Sequence, residues 1–150
     1  MNLNDSRYFF LCFVLLWIAI GFTVAQIGGW GQLARFYRLS NPFSGERWYL
    51  RSGRMRLTMR YRNCLTIGAN AQGLYLAVLF LFRFGHPPLF IPWQDIAVKT
   101  GETLWWRWTE FRFRQAPGVF LRVFGRIGDE VKSSAGQFWP VENLPAQSQF

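Results

Sequence analysis

The distribution of apolar and polar residues divides the chain into a long uncharged start and a patterned remainder. Residues 9–25 read FFLCFVLLWIAIGFTVA, and the stretch from Tyr8 to Ile27 has Gln26 as its only strongly polar residue. As an α-helix this stretch would be about 30 Å long, the thickness of the hydrocarbon layer of a bilayer. We therefore predict a transmembrane anchor over residues 1–27. The anchor residues expected to contact lipid are Phe9, Leu15, Trp17 and Ile20. Trp30 is expected to lie in the aromatic belt at the end of the span.

The residues around this segment indicate whether it is cleaved and how it is oriented in the membrane. A cleaved signal peptide is the alternative to an anchor, because Thr23-Val24-Ala25 loosely fits a cleavage site. The apolar run is longer than the usual signal-peptide core of about 7–15 residues, which favours an anchor. One arginine precedes the run, whereas several follow it closely, namely Arg35, Arg38, Arg47 and Arg51. The positive-inside rule then predicts a single-pass protein of the inner membrane, with the N-terminus outside and the following domain in the cytoplasm.

Residues 28–45 follow a helical pattern and then a break. Trp30, Leu33 and Tyr37 recur at i, i+3 and i+7, which places them on one face of a short amphipathic helix. Asn41-Pro42 then ends the pattern. We assign this region to a juxtamembrane helix and a linker.

From Glu46 onward, apolar and polar residues alternate with the period of a half-buried strand. The alternation is clearest in residues 54–62, RMRLTMRYR, which form one strand or, with a turn inside, two. Turn residues at 70–73, 86–88, 100–103 and 116–118 divide the rest at intervals of roughly 10–15 residues. We predict a mainly β domain over residues 46–136, with a barrel or sandwich of about seven strands.

The end of the chain changes its period again. Ile127, Val131 and Ala135 recur at i, i+4 and i+8, and Gly136 follows them. This pattern predicts a short C-terminal helix that closes the β domain. Residues 137–150 contain two prolines and little apolar patterning, so we expect them to form a loose tail.

Charge adds a candidate surface to this picture. The net charge is +9, and 15 of the 17 basic residues are arginines, whose planar guanidinium suits phosphate and carboxylate groups. The polar side of the alternating segment predicts an arginine face that would bind anionic lipid headgroups or an acidic protein. The alternative is a solvated strand face whose arginines serve only membrane topology. The candidate residues are Arg51, Arg54, Arg56, Arg60 and Arg62.

Patterns typical of catalysis or metal binding are missing from the sequence. It contains no phosphate-binding loop, Gly-x-Gly-x-x-Gly or Cys-x-x-Cys motif, and its one histidine, His86, precedes two prolines. Aromatic residues interleave with arginines over residues 105–114, a pattern of single-stranded nucleic-acid binding but more often of core and cation–π packing. We therefore expect no enzyme activity, no cofactor and no metal, and we do not favour nucleic acid as a partner.

Seven strands followed by one amphipathic helix resemble the pleckstrin-homology-like superfold, including its GRAM-like relatives. Residues 73–76, GLYL, and residues 91–96, IPWQDI, are similar to a pattern in small bacterial membrane proteins of that type. The resemblance covers residues 46–136 and implies a binding module. In phosphoinositide-binding members, basic residues cluster around the first hairpin, a position that Arg51, Arg54 and Arg56 match.

Two functions follow as expectations. The first is a non-catalytic, membrane-anchored adaptor that binds anionic lipid headgroups or an acidic protein partner through its arginine face. The second is a structural subunit of a larger membrane protein complex, in which the anchor and the β surface contact other subunits. The sequence leaves the oligomeric state open.

Overall fold

The computed structural model describes residues 3–57 and 59–141. An apolar N-terminal helix is followed by a short second helix, seven antiparallel strands and a C-terminal helix, which confirms the predicted fold class. The elements are α1 (Leu3–Gly28), α2 (Trp30–Tyr37), β1 (Glu46–Met55), β2 (Met59–Ala69), β3 (Gly73–Val78), β4 (Leu89–Pro92), β5 (Ile96–Glu102), β6 (Arg107–Phe113), β7 (Ala116–Phe124) and α3 (Ile127–Ala135). Short 3₁₀ turns cover Phe80–Phe82, Trp93–Asp95 and Gly136–Phe138.

One face of the first helix is covered by the rest of the protein, and its other faces are exposed. Over Asn4–Gly28 it is long and apolar enough to cross a membrane. Gly21, Ala25 and Gly28 recur at i, i+4 and i+7 and are partly or fully buried against the rest of the protein. The other faces carry exposed apolar side chains, including the predicted anchor residues Phe9, Leu15, Trp17 and Ile20.

The seven strands form one open antiparallel sheet in the order β4-β3-β2-β1-β7-β6-β5. Its two edge strands, β4 and β5, are consecutive in the chain and are joined by the three residues Trp93–Asp95. In a flat sheet, six strand spacings of about 4.8 Å would separate these edges by about 29 Å. Three linking residues bridge at most about 14 Å. The sheet must therefore curl strongly, which brings its edges together around a single core.

The segment IPWQDI forms the corner between the two edges. Ile91 and Ile96 are buried, and the indole of Trp93 donates to the Asn70 carbonyl at 2.8 Å. The carboxylate of Asp95 accepts a hydrogen bond from the Tyr37 hydroxyl at 3.1 Å, which ties α2 to the corner. These residues therefore have structural roles in closing the sheet.

The second helix packs its apolar face into the core of the β domain. Trp30, Leu33 and Tyr37 are buried, as the helical pattern predicts. The prediction that Trp30 lies in a membrane-interface belt is wrong, because its side chain is fully buried and its indole donates to the Pro87 carbonyl at 2.9 Å. The left-handed conformation of Gly29 separates α2 from α1, and the Trp30 side chain that follows is buried in the core.

Two predicted turns lie within strands. Residues 100–102 complete β5, and the chain reverses at residues 103–106, where Thr103 and Trp106 exchange backbone hydrogen bonds. Residues 116–118 begin β7, and that reversal comes at residues 114–115. Strand pairing outweighs the local turn preference here, since Gly101 pairs with Trp108 across the β5–β6 ladder.

The predicted loose tail begins with ordered residues. The indole of Trp139 packs against Trp93 and Phe111, with ring centroids 5.6 Å and 6.0 Å away. The start of residues 137–150 thus contributes to the core. Residues 142–150 lie outside the described residues.

Candidate functional site

A tight turn and one arginine join α1 to the domain. Gly29 has a φ of +89°, in the left-handed region, and a side chain there would collide with Val119 and Arg56. The Arg56 guanidinium donates to the Ile27 carbonyl at 3.1 Å and to Oε1 of Gln32 at 2.8 Å. A carbonyl in the last turn of a helix has no partner within the helix, and the helix dipole favours a cation there. Arg56 therefore fixes the end of α1 onto the β1–β2 hairpin.

The predicted arginine face is interrupted at this hairpin. Arg56 has a φ of +53° and lies in the turn, so it leaves the strand alternation and serves the helix joint. The guanidinium of Arg54 donates to the Leu57 carbonyl at 2.6 Å and 3.2 Å and closes the same turn. Arg51 lies 3.9 Å from the Glu130 carboxylate. Three of the five predicted residues thus have partners within the protein.

Arg60 and Arg62 differ from these three. Both are exposed at the start of β2, and neither guanidinium has a hydrogen-bond or ion-pair partner within residues 3–57 and 59–141. They line an open groove of about 630 Å³, which we call the arginine groove. Its lining residues are Ser52, Gly53, Arg54, Arg60, Tyr61, Arg62, Asn63, Trp106 and Phe124.

Two arginines on the other half of the sheet share one buried carboxylate. The Glu110 carboxylate is 2% exposed and accepts hydrogen bonds from Arg112 at 2.8 Å and from Arg122 at 2.6 Å. The Arg122 guanidinium also lies 4.4 Å from the ring centroid of Trp108. These groups form a charge cluster in which both guanidinium groups are bonded to a carboxylate within the protein. The interleaved aromatics and arginines of β6 thus include cation–π packing.

A hydrophobic connector between β3 and β4 lies along α1. We define the connector as residues 79–88, LFLFRFGHPP. The indole of Trp17 donates to the Leu81 carbonyl at 3.1 Å and packs at a tilt against Phe82 with ring centroids 5.6 Å apart. Nearer the domain, a side chain on Gly21 would meet the Phe84 carbonyl at 3.0 Å. The connector backbone therefore approaches the helix as closely as glycine permits.

His86 closes the connector against the sheet as a neutral residue. Its Nδ1 lies 3.1 Å from the Phe84 carbonyl, and its Nε2 lies 3.1 Å from the Tyr61 hydroxyl. Because a carbonyl only accepts, Nδ1 carries the proton and Nε2 accepts from the hydroxyl. Burial lowers the pKa of His86 and raises the pKa of Tyr61. Both ring nitrogens are thus engaged in structural hydrogen bonds.

An exposed apolar tip was missed by the sequence interpretation. Leu104 and Trp105 occupy the β5–β6 turn and are 87% and 80% exposed, and Trp106 beside them lines the arginine groove. Their aromatic and apolar composition favours a strand, so local preference does not indicate a turn at these residues. The three consecutive large apolar residues are the one sequence signal that could have identified the tip.

The site offers cationic and apolar surfaces. Within the part of the chain that the structure describes, no group of three or more His, Cys, Asp or Glu side chains is placed to hold a metal ion. The arrangement is suited to binding an anionic group beside an apolar one. Comparison with protein-family models, with curated proteins and with solved structures finds no match to the chain.

Proposed function

We propose that this protein is a membrane-anchored, non-catalytic binding module that presents Arg60 and Arg62 to the anionic headgroups of the membrane in which α1 is embedded. The observation that carries the proposal is a pair of guanidinium groups that have no partner among the described residues and that line an open groove on a domain fixed to an apolar helix. Basic residues near an anionic bilayer surface contribute about 1 kcal/mol each. The arginine distribution of the sequence supports an orientation with the N-terminus outside and the domain in the cytoplasm.

The packing of α1 supports a retained anchor over a cleaved signal peptide. Cleavage after Ala25 would remove Gly21 and Ala25, both of which contact the connector. Ala25 is fully buried, and the Ile27 carbonyl just beyond it accepts the Arg56 hydrogen bond. A signal peptide has no need of such contacts with the mature domain.

The strand arrangement supports a pleckstrin-homology-like or GRAM-like domain as part of this proposal. Seven antiparallel strands in one curled sheet, closed by a C-terminal helix, agree with the resemblance seen in the sequence. Because a fold hosts many functions, the proposal depends on the arginine groove and not on this likeness.

The exposed tip also supports a membrane-facing groove. Leu104 and Trp105 are large, exposed apolar side chains that directly precede Trp106, which lines the groove. Tryptophan favours the interface between lipid and water, and isolated apolar tips of this size mark interaction sites. An apolar tip next to a cationic groove suits a bilayer surface, where a layer of anionic headgroups covers an apolar interior.

The proposal is tested by lipid titration of the full-length protein in detergent, with bound lipid resolved by native mass spectrometry. We expect phosphatidylglycerol to bind in preference to phosphatidylcholine. The double variant Arg60→Gln/Arg62→Gln should bind phosphatidylglycerol about thirtyfold more weakly, since two contributions of about 1 kcal/mol are lost.

The matched control is Arg114→Gln/Arg126→Gln, which removes the same charge from two exposed arginines outside the groove. It should bind as the parent protein does. A parent protein with no preference for phosphatidylglycerol, or a control that loses as much affinity as the test variant, would contradict the proposal.

A structural subunit of a membrane complex is the second candidate. The exposed tip favours it, since a protein partner would also cover Leu104 and Trp105. Purification in mild detergent distinguishes the two functions. A stoichiometric partner with an acidic face, retained by the parent and lost by Arg60→Gln/Arg62→Gln, would favour the subunit.

A further inference from the structure

We infer that the protein holds one anionic phospholipid in a built site, with an acyl chain in a slot between α1, the connector and β2 and the phosphate at Arg60 and Arg62. This inference rests on the proposed function and specifies the ligand and the mode of binding. The slot is a cavity of about 280 Å³, near the lower end of ligand-binding cavities, which begin at about 300 Å³. Its lining residues include Ile20, Val24, Cys64, Leu81, Phe82 and Phe84.

The lining of the slot defines the chemistry of its occupant. Apart from the arginines and the Tyr61–His86 pair, the side chains around it are apolar, and Ile20 continues onto the exposed apolar surface of α1. A hydrocarbon chain in the bilayer could therefore enter from the lipid side without crossing a polar rim. A water-filled slot of this composition would have few hydrogen-bond partners to offer.

The slot and the arginine groove are adjacent. Arg60, Tyr61 and Arg62 line both cavities, so β2 separates an apolar compartment from a cationic one. A phospholipid has the same division, with an anionic phosphate joined to apolar chains. The guanidinium groups of Arg60 and Arg62, unpaired within residues 3–57 and 59–141, are the complementary charge for that phosphate.

The connector is built to lie in a lipid environment beside α1. Phe80 is 67% exposed, its apolar neighbours Leu81, Phe82 and Phe84 are also exposed, and the exposed Arg83 is the one charged residue of the connector. Contact of the connector with the helix extends from Trp17 to Ala25, which is about 12 Å or less than half of the hydrocarbon thickness. A mainly apolar loop that follows a membrane helix over this length is suited to contact with lipid.

Backbone groups at that depth require partners within the protein. The Leu81 carbonyl accepts from the Trp17 indole, and the Phe84 carbonyl accepts from His86. Within the connector, the Phe82 and Arg83 amides donate to the Leu79 and Phe80 carbonyls. Glycines at positions 21 and 85 allow the close backbone approach that is typical of helix packing in membranes.

The test uses the full-length protein in detergent, titrated with phosphatidylglycerol and followed by native mass spectrometry. Ile20→Trp fills the slot from α1 without changing any charge, and Leu81→Trp fills it from the connector; both residues are exposed, so the fold should tolerate either change. The matched control is Leu15→Trp, on a part of α1 that does not line the slot. We expect the bound phosphatidylglycerol to be lost from both slot variants and retained by the control.

A second experiment distinguishes a site for a whole phospholipid from a site that binds only the phosphate group. Glycerol 1-phosphate carries the anionic group without acyl chains, and it should not displace the bound lipid from the parent protein. Displacement by glycerol 1-phosphate would overturn the slot assignment, because the chains would then contribute nothing.

The remaining outcomes separate this inference from the proposed function. If both slot variants bind phosphatidylglycerol normally while Arg60→Gln/Arg62→Gln does not, the slot is refuted and the surface function stands. If the slot variants lose lipid but the arginine variant binds both lipids as the parent does, the phosphate assignment is overturned. If neither kind of variant affects binding, both proposals fail.

Discussion

Two regions of the molecule use arginine in different ways. In the region formed by β5, β6, β7 and α3, which we call the paired-charge region, Arg107, Arg112 and Arg122 each contact a carboxylate, while Arg114 and Arg126 are exposed in its turns. In the region formed by the start of β2, the connector and the end of α1, the free-charge region, Arg60 and Arg62 have no partner within the described residues. The carboxylates that pair with arginine all lie in the paired-charge region, whereas the free-charge region contains no acidic residue.

Removing Glu110 should break the paired-charge region and produce the largest effect on stability. Glu110→Gln leaves Arg112 and Arg122 without a counter-charge, although their side chains are 44% and 32% exposed and remain partly hydrated. We expect the free energy of unfolding to fall by about 2 kcal/mol, measured by thermal or urea denaturation of the full-length protein in detergent. Lipid binding should be unchanged.

The matched control is Glu102→Gln, which removes the same charge from an exposed pair with Arg107. Exposed ion pairs contribute little, so no measurable change is expected. Equal destabilisation by the two variants would show that burial of Glu110 has no special role.

Acidification should weaken the free-charge region through His86. Burial holds the pKa of His86 below 6.5, whereas the unfolded chain keeps the ordinary value. As the pH falls below about 6.5 the unfolded state binds a proton that the folded state does not, so stability decreases by up to about 1.4 kcal/mol per pH unit. Thermal denaturation between about pH 7.5 and pH 5.5 measures this slope. The variant His86→Gln should lack that slope whatever its absolute stability, and a slope that persists in it would refute the assignment.

Introducing a carboxylate into the arginine groove should make the free-charge region resemble the paired-charge region. Phe124 is partly exposed, lines the groove and lies on β7. Phe124→Glu should weaken phosphatidylglycerol binding about fivefold, equivalent to about 1 kcal/mol, by neutralising one arginine. Stability should change by less than about 0.5 kcal/mol, as for most surface substitutions. Phe124→Gln is the uncharged control, and a loss as large as that of the glutamate variant would show that shape, not charge, is responsible.

Local periodicity was sufficient to predict much of the fold. The apolar run gave α1, and the spacing of Trp30, Leu33 and Tyr37 gave the buried face of α2. The same rule could not place Trp30 itself, because its burial depends on the left-handed turn at Gly29 and on the Pro87 carbonyl, which is distant in sequence.

The candidate site was only partly predictable for a similar reason. Alternation predicted Arg54 and Arg60 on one face, and the structure pairs them across the β1–β2 ladder. Alternation could not show that the hairpin turn redirects Arg56 toward α1. The contact of Gly21 with the connector joins residues more than sixty positions apart. A sequence pattern describes one helix or strand at a time, whereas the slot lies where α1, the connector and β2 meet.

The joint at Gly29 and Arg56 has a mechanical consequence. Helices in a bilayer tilt when their apolar length exceeds the local hydrocarbon thickness. Because Arg56 of the β1–β2 hairpin is hydrogen-bonded to the last turn of α1 and to α2, a tilt of the helix would also tilt the domain. The angle at which Arg60 and Arg62 meet the headgroups would then change with membrane thickness, so a domain that binds lipid would also respond to the bilayer around it.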